Sequence, residues 1–391
     1  VISTDVEIKV ESGGVYIICR RVKIEDKEQW NNVVKESLNG TFYHTWEWND
    51  VIEKGLNSES LSVAVEDEEE HKLIGIFPFF IRNLFEDYRI NKYFPTISNN
   101  FQIGCSPHHK LYSFGGPCVL SSVTNCEEIY KLIFDSIDSY SKDKKNITGH
   151  LIYPYHNCLD SALIQNGYTK TGIKKTAIIN IDKDLTEICK GFKKQFSRDI
   201  KKASKKGIII YESQNYEEDI DLYYNQFQKL LIDRVIERTG NCYGRVSYAL
   251  VPYSYFEKLR DILFPKKMAR LFFAEYNGVK VGALMNFYYK DTIYLGHTTV
   301  LRGKYNGLNV SKLLMWHIIV DGKKNGFKNL DVSGLHPNES HGQYQFKMGF
   351  KGQVKEIGVY KKSYRYNEIK HAKAIIYKHA KATIIELRKL Q

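Results

Sequence analysis

The sequence predicts an α/β protein built from α+β mixed sheets, with one fold occurring twice in tandem and a cleft between the copies. A repeated hairpin is the first observation. Leu61-Ser-Val-Ala-Val-Glu66, a polar break and Leu73-Ile-Gly-Ile-Phe-Pro-Phe-Phe80 read as strand, turn, strand. Leu271-Phe-Phe-Ala-Glu-Tyr276, Asn277-Gly278 and Val279-Lys-Val-Gly-Ala-Leu-Met-Asn-Phe287 repeat that pattern. Asn-Gly between apolar runs is a strong hairpin signal, because both turn residues must accept a positive φ. The second observation is an echo downstream. Each hairpin is followed by a helical stretch (125–141; 308–325) and a short apolar strand (Leu151-Ile-Tyr153; Asn329-Leu-Asp-Val-Ser333). Each copy then reaches a Gly-aromatic pair, Gly167-Tyr168 or Gly349-Phe350, ahead of its last strand. A repeat this long is a duplicated domain, since solenoid repeats run to only about 20–50 residues.

The elements follow in order. Residues 26–56 are helical with a break at Asn39-Gly40, and 91–119 is loop-rich, with Pro95, Pro107 and a Gly115-Gly116-Pro117 turn. The run Ala177-Ile-Ile-Asn-Ile181 closes the first domain, taken as residues 1–181. The second, 182–360, opens on a basic helix over 185–207 that ends at Gly207, the residue type that favours a left-handed C-terminal cap. A strand at 208–211, helices at 216–238 and 253–263, the second hairpin, a strand at 291–298, a helix at 309–324 and a strand at 328–333 complete it. The tail, 361–391, places Ile369, Ala372, Ile376, His379, Thr383 and Leu387 near helical spacing, which predicts an amphipathic helix with a basic outer face.

At 391 residues the chain has room for two domains with proper cores, and 43% hydrophobic with 26% charged residues is an ordinary globular balance. The longest apolar run, Leu73 to Ile81, contains Pro78 and is too short to span a bilayer. No basic-then-apolar leader is present, and the seven cysteines are scattered without a CxxC pair, so reduced thiols and a cytoplasmic setting are expected. His108-His109 offers two imidazoles, but neighbours on a strand point to opposite faces and no third ligand is suitably spaced. No metal site is expected. The net charge of +12 is concentrated in two places. Lys190, Lys193, Lys194, Arg198, Lys201, Lys202, Lys205 and Lys206 face only Asp199, and the tail carries nine basic residues against Glu368 and Glu386. Such blocks contact phosphates or an anionic surface, or are simply solvated. Glu66-Asp-Glu-Glu-Glu70 reads as a solvated hairpin loop.

Phe192-Lys-Lys-Gln-Phe-Ser-Arg198-Asp-Ile-Lys201-Lys202 running on to Gly207, Glu237-Arg-Thr-Gly240 with Tyr255-Phe256, and the hairpin Ala274–Leu284 are phrases that resemble the Fem family of peptidyltransferases within the wider GNAT acyltransferase fold. The most specific is the succession Leu313-Leu-Met-Trp316, Gly326-Phe-Lys-Asn-Leu-Asp331 and Tyr344-Gln-Phe346-Lys347-Met-Gly349-Phe350. In the first copy, Phe42-Tyr-His-Thr-Trp46-Glu-Trp48 and Phe114-Gly-Gly-Pro117 are similar to the family's early helix and Gly-Pro turn. The likeness covers residues 40–360 and is strongest from 185 onward. It implies two tandem GNAT-like domains. Leu120 and Ser121 stand where many Fem enzymes carry an acid, and the helical arm of some members has no counterpart between Gly207 and Leu271.

The resemblance further implies transfer of an amino acid, donated by aminoacyl-tRNA, to an amine of an anionic cell-envelope precursor that is nucleotide- or lipid-linked. No cofactor is then needed. CoA enters only under the alternative, a GNAT N-acyltransferase acting on a sugar or small-molecule amine. That branch uses a Gln/Arg-x-x-Gly-x-Gly/Ala loop at a helix N-terminus to hold a pyrophosphate. Here Arg302-Gly-Lys-Tyr-Asn-Gly307-Leu-Asn309 keeps an Arg and two Gly at another spacing. A third reading is a non-enzymatic adaptor that holds tRNA or a membrane surface. The basic tail suggests peripheral contact with the inner face of the membrane.

Ester-to-amine transfer needs alignment, stabilisation of a tetrahedral oxyanion and a route for one proton. By resemblance Lys347 supplies positive charge at the donor's acyl end and Phe346 packs the terminal adenosine; the alternative is a surface lysine beside a core phenylalanine. Asp331 either positions the amine or caps the turn after its strand. His341 is a candidate proton relay, and Tyr344 a channel wall. Arg198, Lys201, Lys202 and Arg302 are candidates for phosphate contacts, or belong to a solvated face.

Overall fold

A computed structural model of the protein describes residues 8–12, 15–83, 109–143, 147–239 and 251–364. The tail beyond Tyr364, His108 and the loop 240–244 lie outside the described residues. The first half contains β1 (Ile8–Ser12), β2 (Val15–Arg21), α1 (Lys27–Glu36), α2 (Trp46–Leu56), β3 (Glu59–Ser60), β4 (Val63–Asp67), β5 (Lys72–Phe77) and β6 (Phe80–Asn83). It continues with β7 (His109–Gly115), β8 (Cys118–Val119), α3 (Cys126–Asp143), β9 (Ile147–Pro154), α4 (Asp160–Gln165) and β10 (Thr169–Asn180). The second half begins with α5 (Leu185–Gly191), α6 (Lys194–Ser204), β11 (Ile209–Glu212), α7 (Tyr216–Thr239) and α8 (Tyr253–Lys258). It ends with β12 (Ala269–Tyr276), β13 (Val279–Tyr289), β14 (Thr292–Val300), α9 (Val310–Lys324), β15 (Asn329–Asp331), α10 (Gly342–Met348) and β16 (Gln353–Ser363).

Strand order shows the duplication. In the second half β11, β12, β13 and β14 are antiparallel neighbours and β15 is parallel to β14. In the first half β2, β4, β5 and β8 form the antiparallel run, and β7, which continues into β8 through Gly115-Gly116-Pro117, pairs in parallel with β9. The breaks at Leu61-Ser62, Pro78-Phe79 and Gly116-Pro117 divide the first half's strands between a five-stranded and an eleven-stranded sheet. The last strands are exchanged. β10, from the first half, pairs with β15, while β16, from the second, pairs with β9, and β10 and β16 pair with each other at the centre. A cut of the chain at 181/182 therefore separates each last strand from the sheet it completes.

Local chemistry explains the frame. Asn277 and Gly278 both have positive φ (50° and 75°), as a primed hairpin turn demands. The Thr45 hydroxyl caps α2 by accepting from the Trp48 N–H. On one face, α3 packs Ile133, Phe134 and Ile137 against Val65, Phe77 and Ile152. Its counterpart α9 packs Leu314 and Ile318 against Val281, Ile293 and Leu330. The approach is close: a Cβ added at Gly322 would lie 2.4 Å from Ile293. The other face interlocks the halves, since Phe42, Trp48 and Val51 of the first bury against Phe273, Phe287 and Tyr294 of the second. Among the described residues no helix is long and apolar enough to cross a membrane.

Three local expectations change. The basic stretch 185–207 is two helices, because Phe192 turns extended and buries against Phe350 and Trp316. Part of the loop-rich stretch 91–119 is the strand β7, held by parallel pairing to β9 that local composition does not reveal. Glu66 is not a solvated loop residue; Arg20 donates to it (2.7 Å) and to Asp26 (2.7 and 2.8 Å). Residues 361–363 continue β16.

Candidate functional site

β14 and β15 pair only from Thr292/Asn329 to Tyr294/Asp331. Beyond that point β15 ends while β14 runs on to Val300, so the parallel pair opens at its carboxyl ends. This is the place where open α/β sheets hold ligands. The chain reverses there through Ser333, a non-glycine residue with φ 56°. Asp331 stabilises the turn by accepting from the Ser333 N–H (2.7 Å), and the Ser333 hydroxyl donates to the Leu295 carbonyl (2.6 Å), tying the turn to β14.

That turn presents two carbonyls to Lys347. The ammonium donates to Ser333 O and Gly334 O, each at 2.9 Å. Lys347 is partly buried, not a freely solvated surface lysine, and burial pushes its pKa down to about 8 against the opposing pull of the Asp331 carboxylate. A lysine ammonium has three donors, and two are spent on these carbonyls.

Asp331 is buried at 2% exposure and accepts from three donors: the Tyr155 hydroxyl, the Thr176 hydroxyl and the Ser333 N–H. Tyr155 and Thr176 belong to the first half, so this carboxylate ties the halves together. Its oxygens are already engaged, which suits positioning the turn. Tyr43, also from the first half, lies edge-on to Tyr294 (5.5 Å), and burial raises its pKa, helped by Asp331. His297 lies on β14 where the strands part; burial, with Lys347 adding, lowers its pKa to about 4, so the ring is neutral at pH 7. Tyr155, Thr176 and His297 carry no motif, and Tyr43 and Ser333 lie inside quoted phrases without being singled out. Only the pairing of strands distant in sequence gathers them.

The other predicted residues are distributed around this turn. Phe346 packs with Phe196 (6.1 Å between ring centroids) and Phe350 (5.7 Å), and Gly349 leaves space for Phe196, whose ring would lie 2.1 Å from an added Cβ. Tyr344 is partly buried against the same core. His341 caps α10, its Nδ1 accepting from the Gln343 N–H (3.1 Å), and stacks on His336 at 3.7 Å. Six residues of helix, about 9 Å of rise, separate it from Lys347. Arg198, Lys201 and Lys202 are exposed on α6, and among the described residues none of them forms an ion pair. Asp199, the one acid among them, turns inward to Lys312 (2.5 Å) and Gln195 (2.7 Å), leaving the outer face basic. Arg302 is exposed at the start of a 3-10 turn, Gly303–Leu308, whose Gly307 carbonyl accepts from Lys206 (2.7 Å). The two copies differ at the key position. Aligning Gly167-Tyr168 with Gly349-Phe350 places exposed Gln165 opposite Lys347.

A family model described as an acetyltransferase (GNAT) domain matches residues 190–348. No curated protein is similar to the chain in sequence at a significant level. Among solved structures, that of FemX aligns over 87% of this chain and 96% of its own, at 13% identity and a TM-score of 0.63. The C-terminal domain of a putative lysylphosphatidylglycerol synthetase from Agrobacterium fabrum aligns over 90% and 96%, at 10% identity and 0.54. A tandem GNAT protein from the clavulanic acid biosynthesis pathway aligns over 89% and 98%, at 9% identity and 0.52. These likenesses are likenesses of fold: the chain is a mixed α/β protein with two GNAT-like domains.

Proposed function

We propose that the protein is a Fem-like aminoacyltransferase that moves an amino acid from the ester of an aminoacyl-tRNA to an amine of an anionic cell-envelope peptide precursor. The observation that carries this reading is Lys347, an ammonium with two of its three donors spent on strand-end carbonyls at the opening of β14 and β15. The likeness of fold to FemX and to the putative lysylphosphatidylglycerol synthetase domain supports it.

In the proposed step the neutral amine attacks the ester carbonyl, a C–N bond forms, and the electron pair moves onto the carbonyl oxygen. Lys347 offers its remaining donor to that oxyanion. As the intermediate collapses, the ester C–O bond breaks and the ribose hydroxyl leaves with the proton the amine gives up. Asp331 acts as a positioning residue, since it sets the turn that orients Lys347. Phe346 and Phe196 offer an aromatic wall for the terminal adenosine, with Tyr344 nearby, and Arg198, Lys201, Lys202 and Arg302 offer charge to the tRNA phosphates. His341, at the far end of α10, is the candidate for relaying that same proton from the amine to the leaving ribose oxygen. The experiment is incubation with a charged-tRNA pool and envelope precursors, read as a mass shift of the acceptor.

The alternative, an acyl-CoA-dependent N-acyltransferase, is favoured by the description of the matching family model. Against it stands the segment 302–309, which folds as a 3-10 turn with Lys206 on its Gly307 carbonyl. Calorimetry with acetyl-CoA separates the two: saturable binding supports the alternative, and its absence the tRNA-dependent reading.

A further inference from the structure

A cavity of about 280 Å³ lies on the seam between the halves, at the end of β14 opposite the strand-end turn. Tyr155, His156, Lys290, Asp291, Asn329 and Lys355 are among its walls. Its charge is unbalanced. Lys355 is partly buried and lies over the Tyr155 ring, 3.8 Å from its centroid. Lys290 stands at the mouth with its ammonium turned to the Ser37 carbonyl at 3.2 Å. Among the described residues neither lysine has a carboxylate within ion-pair range. Asp291, the acid in the wall, is engaged by the Thr292 hydroxyl (3.0 Å) and the Asn329 amide (3.5 Å).

Burial lowers the pKa of both lysines and brings that of His156 to about 4, with both lysines adding to the effect on the histidine. At neutral pH the cavity walls thus hold two cations, the Asp291 carboxylate and a neutral imidazole, a net positive charge. Lys355 is partly withdrawn from water with no carboxylate in ion-pair range among the described residues, which is costly, and an anion entering between it and the exposed Lys290 offsets that cost. The volume is small beside the usual range for ligand pockets, about 300–1,000 Å³, so it suits a compact group.

We infer that this seam cavity is an anion-binding site that takes the carboxylate or phosphate group of a small molecule between Lys355 and Lys290. Tyr155 connects it to the turn described above, since its ring carries Lys355 and its hydroxyl donates to Asp331. The inference does not depend on what is transferred at Lys347.

The test is calorimetric titration of the full chain with inorganic phosphate and, separately, acetate, at constant ionic strength. Saturable binding of either is expected, and which one binds identifies the group. Lys355→Gln and Lys290→Gln each weaken it by roughly tenfold or more, the scale of removing one charge-assisted hydrogen bond. Lys229→Gln, at an exposed position of α7, leaves it unchanged. Should Lys355→Gln fail to fold, Lys290→Gln at the mouth carries the test alone. No saturable binding of either anion, or binding that Lys229→Gln weakens as much as the cavity variants, overturns the site.

Discussion

The Lys347 ammonium lies 2.9 Å from the Ser333 carbonyl, across the turn where β15 ends. Ser333 is held in place by its N–H, which donates to Asp331, and by its hydroxyl, which donates to the Leu295 carbonyl. The position of one charge therefore depends on strands from both halves, through Tyr155 and Thr176 on the same carboxylate.

Burial of Lys347 has a pH signature. Its pKa falls from 10.5 to about 8 in the folded protein. Between those values the unfolded chain binds a proton that the folded one does not, so stability rises with pH across that window and is flat in this respect below it. Lys347→Met should abolish this dependence, so that its stability relative to the parent falls as the pH rises from about 8 to 10.5. Urea unfolding at both ends of the window measures this; a difference independent of pH would mean the lysine is not desolvated.

Tyr155→Phe removes one of three donors from a buried carboxylate and should cost about 1–3 kcal/mol. A double-mutant cycle with Asp331→Asn should give a coupling on the order of 0.5–3 kcal/mol. Additive effects would show that the two halves are not joined through this hydrogen bond.

Gly349→Ala tests packing behind Phe346. The glycine has an ordinary helical φ of −62°, so the penalty is steric, from a Cβ 2.1 Å from the Phe196 ring. A loss of about 1–3 kcal/mol is expected, as for overpacked cores. Phe196→Leu in the same chain should recover part of it in thermal unfolding.

The basic face of α6 predicts salt dependence. Replacing Arg198, Lys201 and Lys202 by Gln should weaken tRNA binding and flatten the plot of log K against log salt. The slope should fall by about 0.9 for each duplex-stem phosphate that these side chains no longer neutralise. Anisotropy across a salt series reads the slope. An unchanged slope would assign these residues to a solvated face.

Much of the frame is legible in the sequence, because the signals are local. Asn277-Gly278 demands its hairpin, Gly207 takes a left-handed φ of 76° although it lies two residues past the C-cap Lys205, and the two Gly-aromatic pairs mark the copies. Lys347 and Phe346 fall within one phrase. What stayed hidden depends on pairing between distant strands. The exchange of β10 and β16 leaves no mark in either strand, since their partners β15 and β9 are distant in sequence. His297, Tyr43 and Tyr155 reach the site from strands and segments far apart in the chain. The role of Asp199 is likewise invisible, because its partner Lys312 lies on α9.

The most direct measurement is the single-turnover rate of aminoacyl transfer from charged tRNA to an envelope precursor amine, compared between the parent and Lys347→Ala. A fall of roughly a hundredfold or more is predicted, the scale of losing one oxyanion donor, with native circular dichroism and only partial recovery in Lys347→Arg. An unchanged rate in a folded Lys347→Ala protein would contradict the account.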